Sequence, residues 1–308
     1  MTWQAYRLTF ELLAPLCIGD RSIGNLRKCK HYAPSITMWG AATASLTKHL
    51  WDQVPGKTAM KYDFVGKYLQ KNVRFGYFFV MENKIVYYPQ YKKDVGLCFG
   101  GNENSKSAND FEHGFIQTVG MTAIDTGSFG AQDNTLHEME FIGAFSKNHH
   151  KRFLTGNVYI RDDAENSSWI DINNQDSPLR QSLNTLWLGG SRSNGFGKVQ
   201  LKADTIKSNE DEIVPGWKLG TDPDNLSFEL SDDCAPLMAY CHLAGNESIN
   251  NFQGDLDVIS GYLQNLDGRT KKIIMLVAVP GSILGKPGNY LMGGNGMLAF
   301  KGRFSPTF

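Results

Sequence analysis

The sequence predicts an α+β fold with a long insertion and a smaller C-terminal lobe that is also α+β. Apolar residues alternate in several short runs, two segments begin with helix-start residues, and a glycine- and polar-rich region separates them. The order in the first two-thirds is strand, helix, strand, strand, helix, strand, which is the ferredoxin-like (RRM-like) arrangement. We expect this domain over residues 1–206, its insertion at about 92–170, and a linker at 207–230. The lobe at 231–308 is expected to be a second copy of the first or an extension of its core.

Strands are predicted wherever apolar and polar residues alternate with a period of two. In the first two-thirds of the chain these segments are residues 3–12, 73–80, 84–91, 136–145, 153–160 and 198–202. Residues 21–33 are predicted as a loop, and residues 92–135 as the glycine-rich part of the insertion. A loop as long as residues 92–135 is usually functional or mobile.

Helix-start residues predict two helices in the same region. Residues 34–35, Pro-Ser, open a helix over 36–51. Ser177 suits the position before a second helix, and Pro178 suits its first turn. Gly189 is expected to end this second helix, because glycine readily adopts the left-handed conformation found there.

The last third carries weaker signals. Residues 208–224 are acidic and contain proline and glycine, which is typical of a linker. Short helices are predicted near residues 235–243 and 256–266, and strands at 272–279 and 297–304.

Charge and cysteine content narrow the class of protein. The 31 basic and 31 acidic residues cancel, so binding of a polyanion would require locally segregated charge. The five cysteines are scattered and form no C-x-x-C pair, which argues against a disulfide framework or a zinc site. The N-terminus lacks signal-peptide features, and no apolar run is long enough to span a bilayer. We expect a soluble cytoplasmic protein without membrane association, metal or cofactor.

The most informative motif is the segment LGGSRSNGFGK at residues 188–198, called the glycine loop below. Glycine permits left-handed backbone and close approach of another chain, and successive exposed N–H groups can hold a phosphate. Two cations, two serines and one aromatic ring accompany the four glycines, without an acidic residue. The candidate RNA-binding residues here are Gly189, Gly190, Ser191, Arg192, Ser193, Gly195, Phe196, Gly197 and Lys198.

The glycine loop differs from the familiar nucleotide-binding loops. The pattern G-x-x-x-x-G-K-[ST] fails, because Val199 follows the lysine. The loop also follows a predicted helix rather than preceding one, so it is not a dinucleotide fingerprint. A flexible helix–strand turn is the alternative interpretation.

A second candidate site is the basic N-terminal stretch. No acidic residue occurs between Asp20 and Asp52 in an otherwise neutral protein. The N–H groups at the start of the predicted helix could also bind a phosphate. The candidate RNA-binding residues of this stretch are Arg21, Arg27, Lys28, Lys30, His31 and Ser35. A solvated basic loop is the alternative.

Two further segments are less specific. Residues 122–140 contain potential metal ligands, but these lack a spacing such as H-E-x-x-H, so a structural loop is favoured. The potential ligands are Asp125, His137, Glu138 and Glu140. Residues 285–301 form another glycine-rich turn, with Lys286 and Tyr290 nearby, and fit a hairpin and an RNA contact equally well.

Four stretches resemble the RAMP superfamily of CRISPR-associated proteins. LGGSRSNGFGKVQL at 188–201 is similar to the glycine-rich loop of the superfamily. APLCIGD at 14–20 resembles the end of its first strand, and YAPSITMWGAATASL at 32–46 resembles the opening of its first helix. TAIDTGSFGAQDNTLHEMEFI at 122–142 is similar to a segment of type III members, and all four occur in family order.

The resemblance implies an RNA-binding subunit of a type III CRISPR effector complex. Its implied partners are crRNA, the backbone RAMP subunits, the large subunit and, indirectly, target RNA. One kind of subunit caps the 5′ handle of the crRNA, whereas the backbone kind often cleaves target RNA with an aspartate before its first helix. Residues 21–33 contain no carboxylate, so we favour the handle-capping kind and expect no catalytic residue.

Two other functions stay open at this point. RAMP proteins that process precursor crRNA often use histidine as a general acid or base, and His31 and His49 are the residues that could do so. A stand-alone metabolic enzyme with a glycine-rich substrate loop is a hypothesis from a different class. Co-purification of a small RNA and partner proteins would distinguish the CRISPR function from this enzyme.

Overall fold

The computed structural model describes residues 3–202, 207–208, 214–222, 224–243, 252–264 and 270–301. The elements before the insertion are β1 (Trp3–Leu12), β2 (Gly19–Ile23), β3 (Leu26–Cys29), β4 (Tyr32–Ala33), α1 (Ser35–His49), α2 (Thr58–Asn72), β5 (Val73–Phe75), β6 (Phe78–Glu82) and β7 (Ile85–Tyr87). The insertion contains β8 (Pro89–Lys92), β9 (Gly96–Phe99), β10 (Lys106–Ser107), α3 (Ala108–Phe115), β11 (Ile116–Met121) and β12 (His137–Ile142).

The remaining elements complete the first domain and form the C-terminal lobe. Those of the first domain are β13 (Phe153–Arg161), α4 (Pro178–Leu183), β14 (Thr185–Trp187), β15 (Lys198–Leu201) and β16 (Lys207–Ser208). Those of the lobe are β17 (Trp217–Leu219), β18 (Ser227–Leu230), β19 (Cys241–His242), β20 (Leu256–Gln264), β21 (Thr270–Ala278), β22 (Gly288–Met292) and β23 (Leu298–Phe300).

The central sheet confirms the ferredoxin-like prediction. Its strands lie in the order β14-β15-β1-β13-β6-β4. The neighbours β15, β1, β13 and β6 are the fourth, first, third and second strands of a βαββαβ unit whose helices are α1 and α4. Side chains of β1 such as Leu8 and Phe10 are fully buried with Met38 and Leu46 of α1 and with Leu183 of α4. The chain is therefore a mixed α+β protein, as the apolar periodicities predict.

The insertion ends earlier than the predicted residue 170. β13 pairs with β1 from Trp3↔Arg161 to Glu11↔Phe153, so residues 153–161 belong to the central sheet. Between β7 and β13 the chain adds a small sheet, β10-β9-β8, and contributes β11 and β12 to another, β11-β12-β3-β2. Because the buried residues of β13 alternate between two cores, its position was not evident from the adjacent polar segments.

Two predictions in the first domain are wrong in detail. Residues 21–33 are not a loop, since β2 and β3 pair as a hairpin around Gly24, whose φ is +57°. The second helix does not continue to Gly189, because residues 185–187 pair with β15 as β14. The start of this helix is confirmed, since Ser177 Oγ accepts the N–H of Arg180 at 3.2 Å and Pro178 is the first helical residue.

One helix was missed. α2 begins without a side-chain cap, and Val65 and Leu69 are among its few buried residues. A mostly polar helix without a start signal gives little apolar periodicity to recognise. None of the helices within the described residues has both the length and the apolar character that spanning a membrane requires.

The C-terminal lobe is a sheet over its described residues, in the order β17-β18-β22-β23-β19-β21-β20. The helices predicted near 235–243 and 256–266 are wrong, because β19 and β20 pair there with β21. Part of the expected linker also belongs to this sheet, where Trp217 is 3% exposed. The predicted strand at 272–279 is confirmed as β21, and that at 297–304 coincides with β23, although residues after 301 lie outside the described part.

The lobe packs on the face of the central sheet that the helices leave open. Tyr159 of β13 lies 5.2 Å from Phe228 of β18, ring centroid to ring centroid. Phe79 of β6 is buried in this second core, whereas its neighbour Phe78 is buried in the first. Adjacent residues on a strand face opposite sides of a sheet, so the central sheet has a core on each side.

Candidate nucleic-acid interface

The glycine loop is fixed by its backbone. Gly190 N–H donates to the Cys17 carbonyl and Gly197 N–H donates to the Pro15 carbonyl, both at 2.8 Å. A Cβ added to Gly189 would lie 2.0 Å from the Cys17 oxygen, and one added to Gly197 would lie 2.0 Å from the Leu188 oxygen. Both glycines also have positive φ. These glycines therefore allow close packing against residues 15–17, and the N–H groups of Gly190 and Gly197 already have protein acceptors.

The tip of the loop presents its polar side chains to solvent. Arg192, Ser193 and Asn194 form one turn of 3-10 helix between Ser191 and Gly195, which both have left-handed backbone. Arg192 and Ser193 are exposed, as is Lys198 at the base of the loop. Of the predicted loop residues, these keep the charge and hydroxyl that a phosphate requires.

Two other predicted loop residues face the protein. The Phe196 ring packs against Phe141, with centroids 5.4 Å apart, and is half-buried. Ser191 Oγ donates to Met139 Sδ at 3.2 Å. Phe196 therefore does not offer the stacking face that the sequence suggested, and both contacts attach the loop to β12.

An open groove of about 420 Å³ separates α1 from β14 and the loop tip. Its lining residues are Ala41, Ala44, Ser45, Lys48, Thr185, Leu186, Trp187, Arg192 and Ser193. No carboxylate lines it. Trp187 is 45% exposed, and Lys198 Nζ lies 5.6 Å from the centre of its ring. An exposed aromatic ring next to cations is the combination that binds single-stranded nucleic acid, by base stacking and phosphate neutralisation.

Sequence reasoning missed Trp187 and Lys48 as members of this site. Residues 185–187 were assigned to a helix, which gave Trp187 a place in helical periodicity instead of an outward position on an edge strand. Lys48 was noticed only as part of the N-terminal charge. The signal that could have found both is the lack of acidic residues in each of the two segments that form the groove.

The hairpin β2–β3 places Arg27 beside the glycine loop. Arg27 pairs with Met139 of β12, the residue that accepts the hydrogen bond from Ser191. Its side chain is exposed. Arg21 is also exposed and lies 3.9 Å from Asp20. The structure thus brings part of the basic N-terminal stretch next to the glycine loop, as the sequence analysis required.

The two lysines of the stretch have protein partners. Lys28 Nζ lies 3.5 Å from Glu140, and Lys30 Nζ donates to Asp20 at 2.6 Å and to the Tyr240 hydroxyl at 2.8 Å. Burial lowers the pKa of Lys30, but the hydrogen bonds to Asp20 and Tyr240 outweigh it, so the pKa is raised. These lysines stabilise the fold and are poor candidates for neutralising phosphates.

His31 and Ser35 are also turned away from solvent. His31 packs between Phe99 and Phe111, each with its ring centroid 5.3 Å away. Burial, with a smaller effect from neighbouring lysines, lowers the pKa of His31 to about 4, so it is neutral at pH 7. Ser35 is 2% exposed, and a Cβ at Gly296 would lie 2.0 Å from its Cβ. The C-terminal lobe therefore covers the start of α1, which excludes the predicted phosphate contact there.

The less specific segments have structural roles. Asp125 Oδ1 accepts the N–H groups of Gly127 and Ser128, which closes a local turn. Within the described residues, the group close enough to share a metal is Asp232, Asp233 and Cys234, and it includes none of the ligands suggested in 122–140.

No family model matches the chain, and no curated protein matches it. Solved structures do show a similar fold. A chain of the cryo-EM structure of the type III-B Cmr-beta bound to cognate target RNA and AMPPnP, state 1, matches with a TM-score of 0.51 and 12% identity, covering 90% of this chain and 85% of that chain. A chain of the type III-B Cmr-beta bound to cognate target RNA matches with a TM-score of 0.50 and 13% identity, over the same shares of both chains. At this identity the similarity concerns the fold.

Proposed function

We propose that this protein is a non-catalytic, RNA-binding subunit of a type III CRISPR effector complex. The observation that carries the proposal is the groove between α1 and β14, which combines exposed Trp187 with Lys48 and Arg192 and contains no carboxylate. The fold similarity to chains of Cmr-beta, a type III-B complex bound to cognate target RNA, supports it.

In this proposal a single RNA strand lies along the groove and the tip of the glycine loop. Arg27, Arg192 and Lys198 neutralise phosphates, and Ser193 donates a hydroxyl hydrogen bond. A base stacks on Trp187, because stacking tolerates any base sequence. The backbone of the glycine loop holds Arg192 and Ser193 in place without itself contacting a phosphate through Gly190 or Gly197.

At a finer level we propose that the bound RNA is the 5′ handle of the crRNA. The hairpin β2–β3, which precedes the first helix, has no carboxylate of its own beyond Asp20, and Asp20 accepts a hydrogen bond from Lys30. A metal-assisted cleavage site at this position has no ligand set there. A subunit that holds RNA without cutting it fits this arrangement better than a cleaving backbone subunit.

The test is RNA affinity of an Arg192→Ala/Lys198→Ala double variant over a range of salt concentrations. For a single strand the salt slope is about 0.7 per phosphate contact, so we expect the slope to fall by roughly 1.4 together with affinity. The control is Lys57→Ala/Lys71→Ala, which removes two exposed lysines of the α2 region. An unchanged slope in the loop variant would contradict the interface.

A second experiment addresses the kind of RNA. The purified protein is incubated with handle RNA, with spacer RNA of equal length and with unprocessed repeat RNA. Tighter binding of the handle is expected, with the repeat RNA left uncut. Equal affinity for handle and spacer would favour the backbone kind of subunit, and cleavage of the repeat would favour a processing enzyme.

A further inference from the structure

A second open cleft, of about 560 Å³, lies in the insertion region and is not part of the groove. It is bounded by the turn after β6, the segment from β10 through α3, and residues 146–152. This last segment contains the motif NHHKR, which the RNA interface described above does not use. Its basic lining residues are Lys106, His113, Lys147, His150 and Arg152.

The acidic residues of the cleft are already neutralised. Glu82 accepts from Arg152 Nε at 3.1 Å, and Asp110 accepts from the Ser107 hydroxyl at 2.7 Å. Lys147 and His113 are exposed and form no ion pair within the part of the chain that the structure describes. The uncompensated charge of the cleft is therefore positive.

Residues 146–150 are held in a fixed shape. Ser146 Oγ accepts the N–H groups of Asn148 at 3.3 Å and His150 at 3.1 Å, and the Ser146 N–H donates to the His150 carbonyl at 2.9 Å. His149 at the apex has a φ of +60°. Such a closed loop presents Lys147 and His150 without the ordering cost that a flexible loop would add on binding.

His150 is further oriented by Asn83. Its Nδ1 donates to Asn83 Oδ1 at 3.0 Å, because an amide oxygen can only accept. Nε2 is then the ring nitrogen left for a ligand. Beneath this histidine, Arg152 is buried and donates to the carbonyls of Gly114 and Gly143, so the floor of the cleft is rigid.

The cleft lies a short distance from the groove. Met139, which accepts the hydrogen bond from the glycine loop, and Gly143, whose carbonyl accepts from Arg152, are four residues apart on and just after β12. An extended chain covers about 13 Å over four residues. At a rise of 3.4 Å per nucleotide in a stacked strand, this corresponds to about four nucleotides.

We propose that this cleft binds a backbone phosphate of the same RNA strand that occupies the groove, about four nucleotides farther along. The inference rests on the proposed function, since it assumes RNA in the groove. Lys106 and Lys147 supply charge, and the serine and histidine side chains supply hydrogen bonds to the phosphate oxygens.

The test compares the affinities of a length series of single-stranded RNAs for the full chain. Wild-type protein should gain affinity, and its salt slope should steepen, when the RNA becomes about four nucleotides longer than the shortest strand that fills the groove. A Lys106→Ala/Lys147→Ala variant should lose this gain, with a slope smaller by roughly 1.4, while keeping wild-type affinity for the short strand. The matched control is again Lys57→Ala/Lys71→Ala.

The outcomes separate the two proposals. If no RNA of any length binds, the proposed function fails. If short strands bind but the cleft variant keeps the full length-dependent gain, only the cleft assignment fails. A nucleoside monophosphate that binds the cleft as tightly as the long strand would also overturn it, because the site would then serve a free nucleotide.

Discussion

The two basic segments of this protein have opposite fates in the fold. In the glycine loop, Arg192 and Lys198 remain exposed because the backbone of the loop satisfies its own contacts with residues 15–17. In the N-terminal stretch, Lys28, Lys30 and His31 find partners inside the protein.

The difference teaches that a run of cations in a sequence marks a nucleic-acid surface only where the fold supplies no acceptor. Glu140 of β12 and Asp20 of β2 lie beside the N-terminal lysines. The described residues that line the groove include no comparable carboxylate near Arg192. The comparison can be tested at each of the two segments.

The largest effect is expected from alanine at a glycine that packs against backbone. Gly189→Ala combines a positive φ with a Cβ only 2.0 Å from the Cys17 oxygen, so we expect the free energy of unfolding to fall by about 3 kcal/mol or more. Gly195→Ala is the matched control, since its φ is +84° but nothing lies within 4 Å of the added Cβ. It should cost only about 1 kcal/mol. Equal losses in chemical denaturation would show that the loop is not held by this contact.

This glycine pair also shows how far the sequence could be read. Glycine density correctly marked an unusual loop, but it did not separate Gly189, needed for packing, from Gly195, which has open space around it. That distinction depends on residues 15–17, which are distant in sequence. The central sheet was predictable because alternation within β1 and β15 is local information. The strands of the C-terminal lobe were not, because short apolar runs fit helix and strand equally well.

A comparable effect is expected when acid protonates the N-terminal stretch. The pKa of His31 is lowered to about 4 by burial, whereas an unfolded histidine titrates near pH 6.5. The unfolded chain therefore binds a proton first, so stability falls as the pH drops from about 6.5 to 4 and levels off below. The loss approaches about 3 kcal/mol at 1.36 kcal/mol per pKa unit.

The contribution of His31 is isolated by a variant that does not titrate. His31→Phe keeps an aromatic ring between Phe99 and Phe111. The difference in unfolding free energy between protein and variant should shrink or reverse between pH 6.5 and 4 in favour of the variant. A difference that stays constant over this range would indicate that His31 is protonated in the folded protein and is therefore available as a cation.

A moderate effect is expected at the aromatic residue of the groove. Trp187→Ala should weaken binding of single-stranded RNA by about 1 to 3 kcal/mol, the usual contribution of one base stacked on an aromatic ring. Trp51→Ala is the control, because Trp51 is 40% exposed and lies outside the lining of the groove. Affinity measured by fluorescence anisotropy should separate the two variants. Equal losses would mean that exposed tryptophan in general, rather than the groove, holds the RNA.

The smallest effect gives the most direct comparison of the two segments, since it applies the same substitution to both. Lys30→Met removes the partner of Asp20 and of the Tyr240 hydroxyl, so the free energy of unfolding should fall by about 1 to 2 kcal/mol while RNA affinity is unchanged. Lys198→Met removes an exposed cation over Trp187, so stability should be nearly unchanged while the salt slope of RNA binding falls by about 0.7. Each variant thus serves as the control for the other. If Lys30→Met lowered RNA affinity as much as Lys198→Met does, the internal hydrogen bonds of Lys30 would have to open on binding. The N-terminal stretch would then belong to the interface after all.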